Sequence, residues 1–137
     1  MSRRKLNVNL HPTECNICGG PVIYTSNSRI YGREYGSGKC YLCRECGAYV
    51  GTHIPRPEEA FGILSDARMR SLKKQCHELF DKSWLNEEPG EKRKLARANA
   101  YEALSVKLDI EPDCCHFGFF DTELLLLARH ILLYEGL

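Results

Sequence analysis

The chain has 137 residues, of which 27% are charged, and its formal net charge is +1 at pH 7. These values are typical of an ordinary soluble globule with no sign of disorder. The near-neutral charge argues against both a strongly basic nucleic-acid binder and an acidic mimic of DNA. No apolar run approaches the roughly 18 residues that span a bilayer, and no apolar segment follows the basic start MSRRK, so we expect a cytoplasmic protein.

Eight cysteines are many for this length, and in a reducing cytosol paired Cys-x-x-Cys motifs indicate a metal rather than disulfides. Two such motifs are near copies, CNICGG at residues 15–20 and CRECGA at residues 43–48. In each, a glycine follows the second cysteine, where positive φ lets backbone N–H groups point at the sulfur atoms. We therefore predict one structural zinc ion per chain, with four ligands: Cys15, Cys18, Cys43 and Cys46.

Cys40 leaves an alternative open, because CYLCREC holds three cysteines at steps of three. A turn from Cys40 to Cys43 would place Arg44 where glycine is favoured, so we expect Cys40 to be a half-buried strand residue instead. Four bound thiolates leave zinc no open coordination position. The metal is therefore expected to stabilise the fold and not to catalyse a reaction.

Short strands are predicted around the two motifs: PVIY after the first, RIYG and KCYL beside a glycine-rich turn, and AYVGTH after the second. A ribbon of this size buries little apolar surface, so we expect the bound metal to stabilise its fold. Residues 1–57 carry eight Lys/Arg against three Asp/Glu. The hairpin has interleaved cations and aromatic rings, at Arg29, Tyr31, Arg33 and Tyr35. Such residues can hold phosphates and stack bases, and a solvated hairpin without a ligand is the alternative.

Helices are predicted in the second half, after the stiff linker Ile54-Pro55-Arg56-Pro57. The first is capped by Ser65 or Asp66. Its apolar face comprises Leu72, Cys76, Leu79 and Phe80. The second starts near Pro89. Its apolar stripe comprises Leu95, Tyr101, Leu104 and Leu108.

A last helix is predicted from Asp121 or Thr122 through LLLLARHILLY, closed by Gly136. It is apolar on nearly every side, so either the protein wraps it or part of it contacts a partner.

Together these elements predict an α+β fold, with an N-terminal four-cysteine zinc ribbon of short antiparallel strands packed with a C-terminal bundle of about three helices. We assign residues 1–12 to an N-terminal tail, 13–56 to the zinc ribbon and 57–137 to a helical region. The ribbon and the helical region are expected to form one compact unit.

No catalytic constellation stands out in the sequence. Cys115 and His116 are adjacent, and adjacent side chains rarely face each other as a nucleophile pair needs. A second metal at Cys114, Cys115 and His116 is a weaker alternative to a packed loop in which Phe117, Phe119 and Phe120 are core anchors. No His-Asn-His nuclease unit and no phosphate-binding glycine loop is recognisable, so we expect a protein that is not an enzyme.

The order of motifs resembles the small zinc-finger-containing proteins of phages and prophages of Gram-positive bacteria. The residues that carry this resemblance are CNICGG, YG at 35–36, YLCRECGAYVGTH, HELFDKSW, RANAYEAL and CHFGFFD. It implies the same four cysteines as metal ligands. It also places further residues on recurrent positions of unassigned role: His53, Arg97, Tyr101, His116 and Asp121. We take the first four of these, with the hairpin residues, as candidate partner-binding residues.

The resemblance also implies a context, because small phage proteins outside the virion are often inhibitors of bacterial defence, including the RNA-guided nucleases of CRISPR immunity. We therefore expect a zinc-stabilised binding protein that inhibits a defence nuclease by protein contact, in the manner of an anti-CRISPR. Its partner would be a bacterial protein such as a CRISPR effector nuclease, with weak or no binding of nucleic acid and none of membranes. A nucleic-acid-binding zinc ribbon is the alternative, and a nuclease is the least favoured hypothesis.

Overall fold

The structure is a computed structural model, and it describes residues 3–137. The chain divides into two compact units. The ribbon unit is Val8–Arg68, and the helical unit is Met69–Leu137 with the N-terminal segment up to Asn7. Within the described residues there are three antiparallel strands and four α-helices, which confirms the α+β class. The domain boundaries inferred from the sequence stay a prediction.

The ribbon unit is built on one antiparallel sheet in the order β1 (Val22–Ser26), β2 (Lys39–Cys43) and β3 (Tyr49–Gly51). Tyr41 stands at its centre, paired with Tyr24 on β1 and with Val50 on β3. Because side chains alternate along a strand, one face of the sheet covers the core of the unit. That core contains Cys15, Tyr41, Cys43, Ala48, Val50, Ala60 and Leu64.

The predicted strand RIYG is wrong, because a short helix, α1 (Ser28–Tyr31), occupies this position. Asn27 explains the difference. Its buried side-chain amide donates to the carbonyl of Tyr35 at 2.8 Å and accepts from the N–H of Tyr35 at 3.1 Å. Gly32 then ends the helix with φ of 82°. The segment is thereby folded into a helical turn at the tip of the β1–β2 hairpin.

The helices of the second half are α2 (Ala67–Asp81), α3 (Glu91–Leu108) and α4 (Thr122–His130). A π-helical turn, Ile131–Glu135, continues α4. Asp121 caps α4 by accepting a hydrogen bond from the N–H of Leu124 at 2.9 Å. Among the residues described, no helix combines the length and apolar character needed to cross a lipid bilayer.

The core of the helical unit is aromatic and aliphatic, with Phe80, Phe117 and Phe120 fully buried. Two expectations about this core are wrong. Phe119 is only half-buried, and Leu95 is 63% exposed. Leu95 lies nine residues before the buried Leu104, and nine steps of about 100° place it on the opposite side of α3.

The N-terminal segment, which we assigned to a tail, is bonded to the helical unit. The N–H of Arg4 donates to the carbonyl of Asp109 at 3.0 Å, and the N–H of Glu111 donates to the carbonyl of Arg4 at 2.7 Å. The Arg3 guanidinium donates to the hydroxyl of the fully buried Ser105 at 2.8 Å. The charged start of the chain therefore belongs to the helical unit.

Candidate metal centre

Four sulfur atoms converge in the ribbon unit, from Cys15, Cys18, Cys43 and Cys46. All four lie within 4.8 Å of one another. The Cys15–Cys46 pair is 3.7 Å apart and the Cys18–Cys43 pair is 3.5 Å apart. A tetrahedral zinc ion with Zn–S bonds of about 2.3 Å requires sulfur atoms about 3.8 Å apart. The arrangement therefore fits one zinc ion, as the sequence predicts.

The two cysteine turns repeat one backbone conformation. Gly19 and Gly47 have φ of 77° and 80°, so both occupy the left-handed region that side chains disfavour. Each N–H donates to the carbonyl of the first cysteine of its turn, at 2.9 Å for Gly19 and 3.2 Å for Gly47. Other backbone N–H groups point at the sulfur atoms at 3.4 to 3.5 Å: Ile17 to Cys15, Gly20 to Cys18 and Cys46 to Cys43.

The electrostatics of the centre favour a bound cation. The N–H of Cys46 is the main cause that lowers the pKa of Cys43 to about 7. The N–H of Ala48 favours the thiolate of Cys46, but desolvation and the three neighbouring thiols outweigh it and raise that pKa to about 12. Four sulfur atoms at these distances cannot all be thiolates without a cation between them. Zn²⁺ would supply that charge and would bind all four as thiolates.

A family model described as a zinc-finger-containing domain matches residues 11–132. The match covers most of the chain and includes all four cysteines of the centre. The chain belongs to this family. No curated protein and no solved structure gave a significant match. In this zinc-finger protein the family match extends well beyond the metal centre, because it reaches into the π-helical turn after α4.

Cys40 takes no part in the metal centre of the zinc-finger protein. It lies three residues before Cys43 on β2, so the two side chains point to opposite faces of the sheet. Cys40 is 1% exposed, which is more buried than the half-buried strand residue that we expected. Burial raises the pKa of its thiol.

The other three cysteines lie in the helical unit as buried thiols. Burial raises the pKa of Cys76 to about 11 and that of Cys115 to about 12. Cys115 therefore stays a protonated thiol at neutral pH, which is unsuitable for a nucleophile beside His116. Within residues 3–137, the four-cysteine centre is the one group of three or more Cys, His, Asp or Glu ligand atoms close enough for a metal.

The hairpin candidates are brought together in part. The hairpin cluster consists of Tyr31, Arg33 and Tyr35. The Arg33 guanidinium carbon is 4.6 Å from the Tyr35 ring centroid, and its Nε donates to the Tyr35 hydroxyl at 2.7 Å. The rings of Tyr31 and Tyr35 meet edge to face at 5.5 Å. Arg29 lies on the exposed side of α1, and His53 packs separately against Phe61 with ring centroids 4.6 Å apart.

The helical candidates converge although they are distant in sequence. Arg97 Nη2 donates to the Tyr101 hydroxyl at 3.3 Å, and the Tyr101 and His116 ring centroids are 6.3 Å apart. Our sequence reasoning missed Trp84, whose ring centroid is 5.6 Å from the Arg97 guanidinium carbon. Composition could have drawn attention to this residue, because Trp84 is the single tryptophan of the chain.

Proposed function

We propose that this zinc-finger protein acts by binding another protein and is not an enzyme. The observation that carries the proposal is the closed metal centre, in which four cysteines can fill every coordination position of one zinc ion. Such an ion cannot activate a water molecule or polarise a substrate, because it has no site for either. Zinc then has the role of holding a small ribbon in shape.

Charge supports a protein partner over a nucleic acid. The ribbon unit carries six Lys/Arg and six Asp/Glu, so its formal charge is zero, and four thiolates around Zn²⁺ would make it −2. The basic surplus of the first 57 residues disappears for two reasons: Arg3, Arg4 and Lys5 belong to the helical unit, and residues 58–68 add three Asp/Glu against one Lys/Arg to the ribbon unit. That unit carries thirteen Lys/Arg against twelve Asp/Glu. Neither unit offers the positive excess on which phosphate binding depends.

Exposed aromatic and apolar side chains also support a protein partner. Tyr31 and Tyr35 are 50% and 48% exposed, and Asn27 fixes their loop through its two hydrogen bonds to Tyr35. Tyrosine and arginine are the residue types that dominate binding energy at protein interfaces, and a loop that is already ordered loses little entropy on binding. The C-terminal segment adds further exposed side chains: Leu127, Leu133, Tyr134 and Leu137.

We propose further that the partner is a bacterial defence nuclease, with a CRISPR effector as the first candidate. The support for this step is the resemblance of the cysteine motifs and of CHFGFFD to small zinc-finger proteins of phages. A nearly neutral inhibitor does not imitate DNA, so it would block the nuclease at a protein surface and impede nucleic-acid loading or a conformational change.

The test is to titrate the zinc-loaded protein into cleavage reactions of CRISPR and restriction nucleases. Inhibition should saturate near equimolar protein, persist in excess DNA and coincide with a complex on size exclusion. Tyr35→Ala should weaken inhibition about thirtyfold or more, as expected for an interface anchor worth about 2 kcal/mol. Arg68→Ala is the control, because this exposed residue lies outside the hairpin cluster. Failure to inhibit any defence nuclease, or catalytic turnover of a substrate, would contradict the proposal.

A nucleic-acid-binding ribbon is the second candidate function, because Arg33 stacked on Tyr35 is a combination that can hold a phosphate beside a base. Binding of this kind weakens steeply with salt, since neutralised phosphates release counterions. We expect only weak binding of single-stranded DNA, lost near physiological salt. Submicromolar affinity that survives about 0.2 M salt and falls in Arg33→Ala would favour this function over protein binding.

A further inference from the structure

Arg97 on α3 is a cation held in place by aromatic rings. Its guanidinium carbon is 4.8 Å from the Tyr101 ring centroid and 5.6 Å from that of Trp84. Tyr101 is itself fixed by packing on the fully buried Phe80, with centroids 4.4 Å apart. A guanidinium that stacks on ring faces still has N–H groups along its edge. Two parallel N–H groups there match the spacing of the two oxygens of a carboxylate. The side chain is therefore oriented before any ligand binds.

A cavity of about 260 Å³ lies beside Arg97. Its lining residues are Trp84, Pro89, Gly90, Arg93, Lys94 and Arg97. The surface that these residues present is almost entirely apolar, because the indole, the proline ring and the aliphatic parts of the long side chains form it. Small-molecule pockets usually exceed about 300 Å³, so this cavity has room for one apolar side chain.

Two further observations concern the polar groups at this place. The indole Nε1 of Trp84 is buried and has no hydrogen-bond partner in the described part of the chain, which is unfavourable for a donor. Arg97 also lacks an anion: no carboxylate of residues 3–137 lies within ion-pair distance of it. The other two cations of the cavity are engaged, since Arg93 donates to two backbone carbonyls at 3.0 and 3.1 Å and Lys94 faces Glu91 at 3.6 Å.

We propose that Trp84, Arg97, Tyr101 and the adjoining cavity form a binding site for a carboxylate carried next to an apolar side chain. The apolar group would fill the cavity against Trp84, and the carboxylate would pair with the N–H groups of Arg97. On a protein this chemistry is an acidic residue or a chain terminus beside an aromatic or aliphatic residue. The inference rests on the proposed function for the source of the ligand, because it describes the segment of the protein partner that the helical unit recognises.

The site contains its own reporter, because Trp84 is the single tryptophan. The probe is N-acetyl-phenylalanine, which carries a carboxylate beside an aromatic side chain, and its matched control is the amide of the same compound. Titration of the carboxylate into the zinc-loaded protein should change the Trp84 fluorescence saturably, with a dissociation constant in the millimolar range expected of so small a ligand. The amide should bind at least about tenfold more weakly, because it cannot form the charged pair.

The variant that tests the site is Arg97→Gln, which should weaken binding of the carboxylate about tenfold or more and leave that of the amide unchanged. Lys92→Gln is the control, because it removes a neighbouring charge of α3 that does not line the cavity. Circular dichroism checks that both variants fold. Equal binding of acid and amide, unchanged binding by Arg97→Gln, or no saturable change overturns the proposal. The readout needs no nuclease, so failed inhibition of every nuclease together with selective binding of the carboxylate would refute the proposed function alone.

Discussion

Cys40 and Cys43 lie three residues apart on β2, yet only Cys43 faces the other three sulfur atoms. We expect Cys43→Ser to lose zinc and the folded ribbon, because three thiolates and a hydroxyl bind zinc poorly and binding is coupled to folding. Cys40→Ser should retain one zinc per chain and lose about 1 kcal/mol of stability, since it buries a hydroxyl. Elemental analysis of the purified variants measures the metal directly.

The assignment of the four zinc ligands would be wrong if the wild-type protein contained no zinc, or if both variants lost zinc equally. Size exclusion of each variant serves as the control for aggregation. The pair is well matched, because both side chains are 1% exposed and belong to the same strand.

Cys76 allows a prediction about pH in the helical unit. Burial raises the pKa of its thiol from 9.0 to about 11, so between these values the unfolded chain loses the proton while the folded protein keeps it. The free energy of unfolding must then fall as pH rises from about 9 to 11. Cys76→Ala should be about 1 to 2 kcal/mol less stable at pH 7, because it leaves a small cavity, but its stability should decline less above pH 9. Urea unfolding at pH 7, 9 and 10.5 under reducing conditions measures both effects, and parallel curves for the two proteins would contradict this pKa.

The sequence predicted the four-cysteine cluster because two local signals agree, the Cys-x-x-Cys spacing and the glycine after each second cysteine. It could not predict the contact of Arg97 with Trp84, whereas Tyr101 lies one helical turn after Arg97 on α3 and is a predictable neighbour. Trp84 and Tyr101 lie 13 residues before and four residues after it, and the contact with Trp84 depends on how the chain turns between α2 and α3. The prediction that Leu95 belongs to the buried stripe of α3 was wrong for a related reason. An apolar residue within a helix does not by itself identify the buried face.

The N-terminal segment behaves as an element of the helical unit. It forms a parallel bridge between Arg4 and Ile110, and the N–H of Leu6 points at the sulfur of Cys114 at 3.4 Å. We expect deletion of residues 1–7 to lower the stability of the helical unit by about 2 kcal/mol, because several backbone hydrogen bonds are lost together. Arg3→Ala should lower it by about 1 kcal/mol, since the partner Ser105 is buried. Denaturant unfolding followed by Trp84 fluorescence measures this unit.

Lys5→Ala is the control for the N-terminal segment, because Lys5 is exposed and its removal should change stability by less than about 0.5 kcal/mol. A deleted protein as stable as the full chain would refute the role of this segment. The bridge could not be predicted from MSRRKL, since the segment lacks the alternation of a strand and its partner lies more than 100 residues away.

The hairpin shows where element prediction fails in physical terms. RIYG has the β-branched and aromatic composition of a strand, but one buried side chain, Asn27, satisfies the backbone of Tyr35 and closes the chain into α1. Two side-chain hydrogen bonds within the hairpin loop therefore override the strand propensity of RIYG. The other three strands were predictable because apolar residues alternate beside fixed turns. The hairpin cluster that results from the helical turn is exposed, and it is the surface of the ribbon unit that we propose to contact a partner.

At the scale of the whole molecule, the two units differ in what stabilises them. The core of the ribbon unit holds seven buried residues, and two of them are the zinc ligands Cys15 and Cys43. The helical unit has its own large buried side chains, including Phe80, Phe117 and Phe120. Small cores seldom stabilise a fold without metal or disulfides, whereas helices packed on an aromatic core need neither. Removal of zinc should therefore affect the units unequally.

The distribution of chromophores allows this difference to be measured in one sample. Five of the seven tyrosines lie in the ribbon unit, and the single tryptophan lies in the helical unit. We expect a strong chelator to abolish the near-ultraviolet tyrosine dichroism of the ribbon unit, because its fold depends on the bound metal. The Trp84 emission and most of the helical dichroism should persist, and added zinc should restore the tyrosine signal. A change of both signals at one chelator concentration would mean that the units fold as one cooperative body. Persistence of both after complete removal of zinc would refute the structural role of the metal.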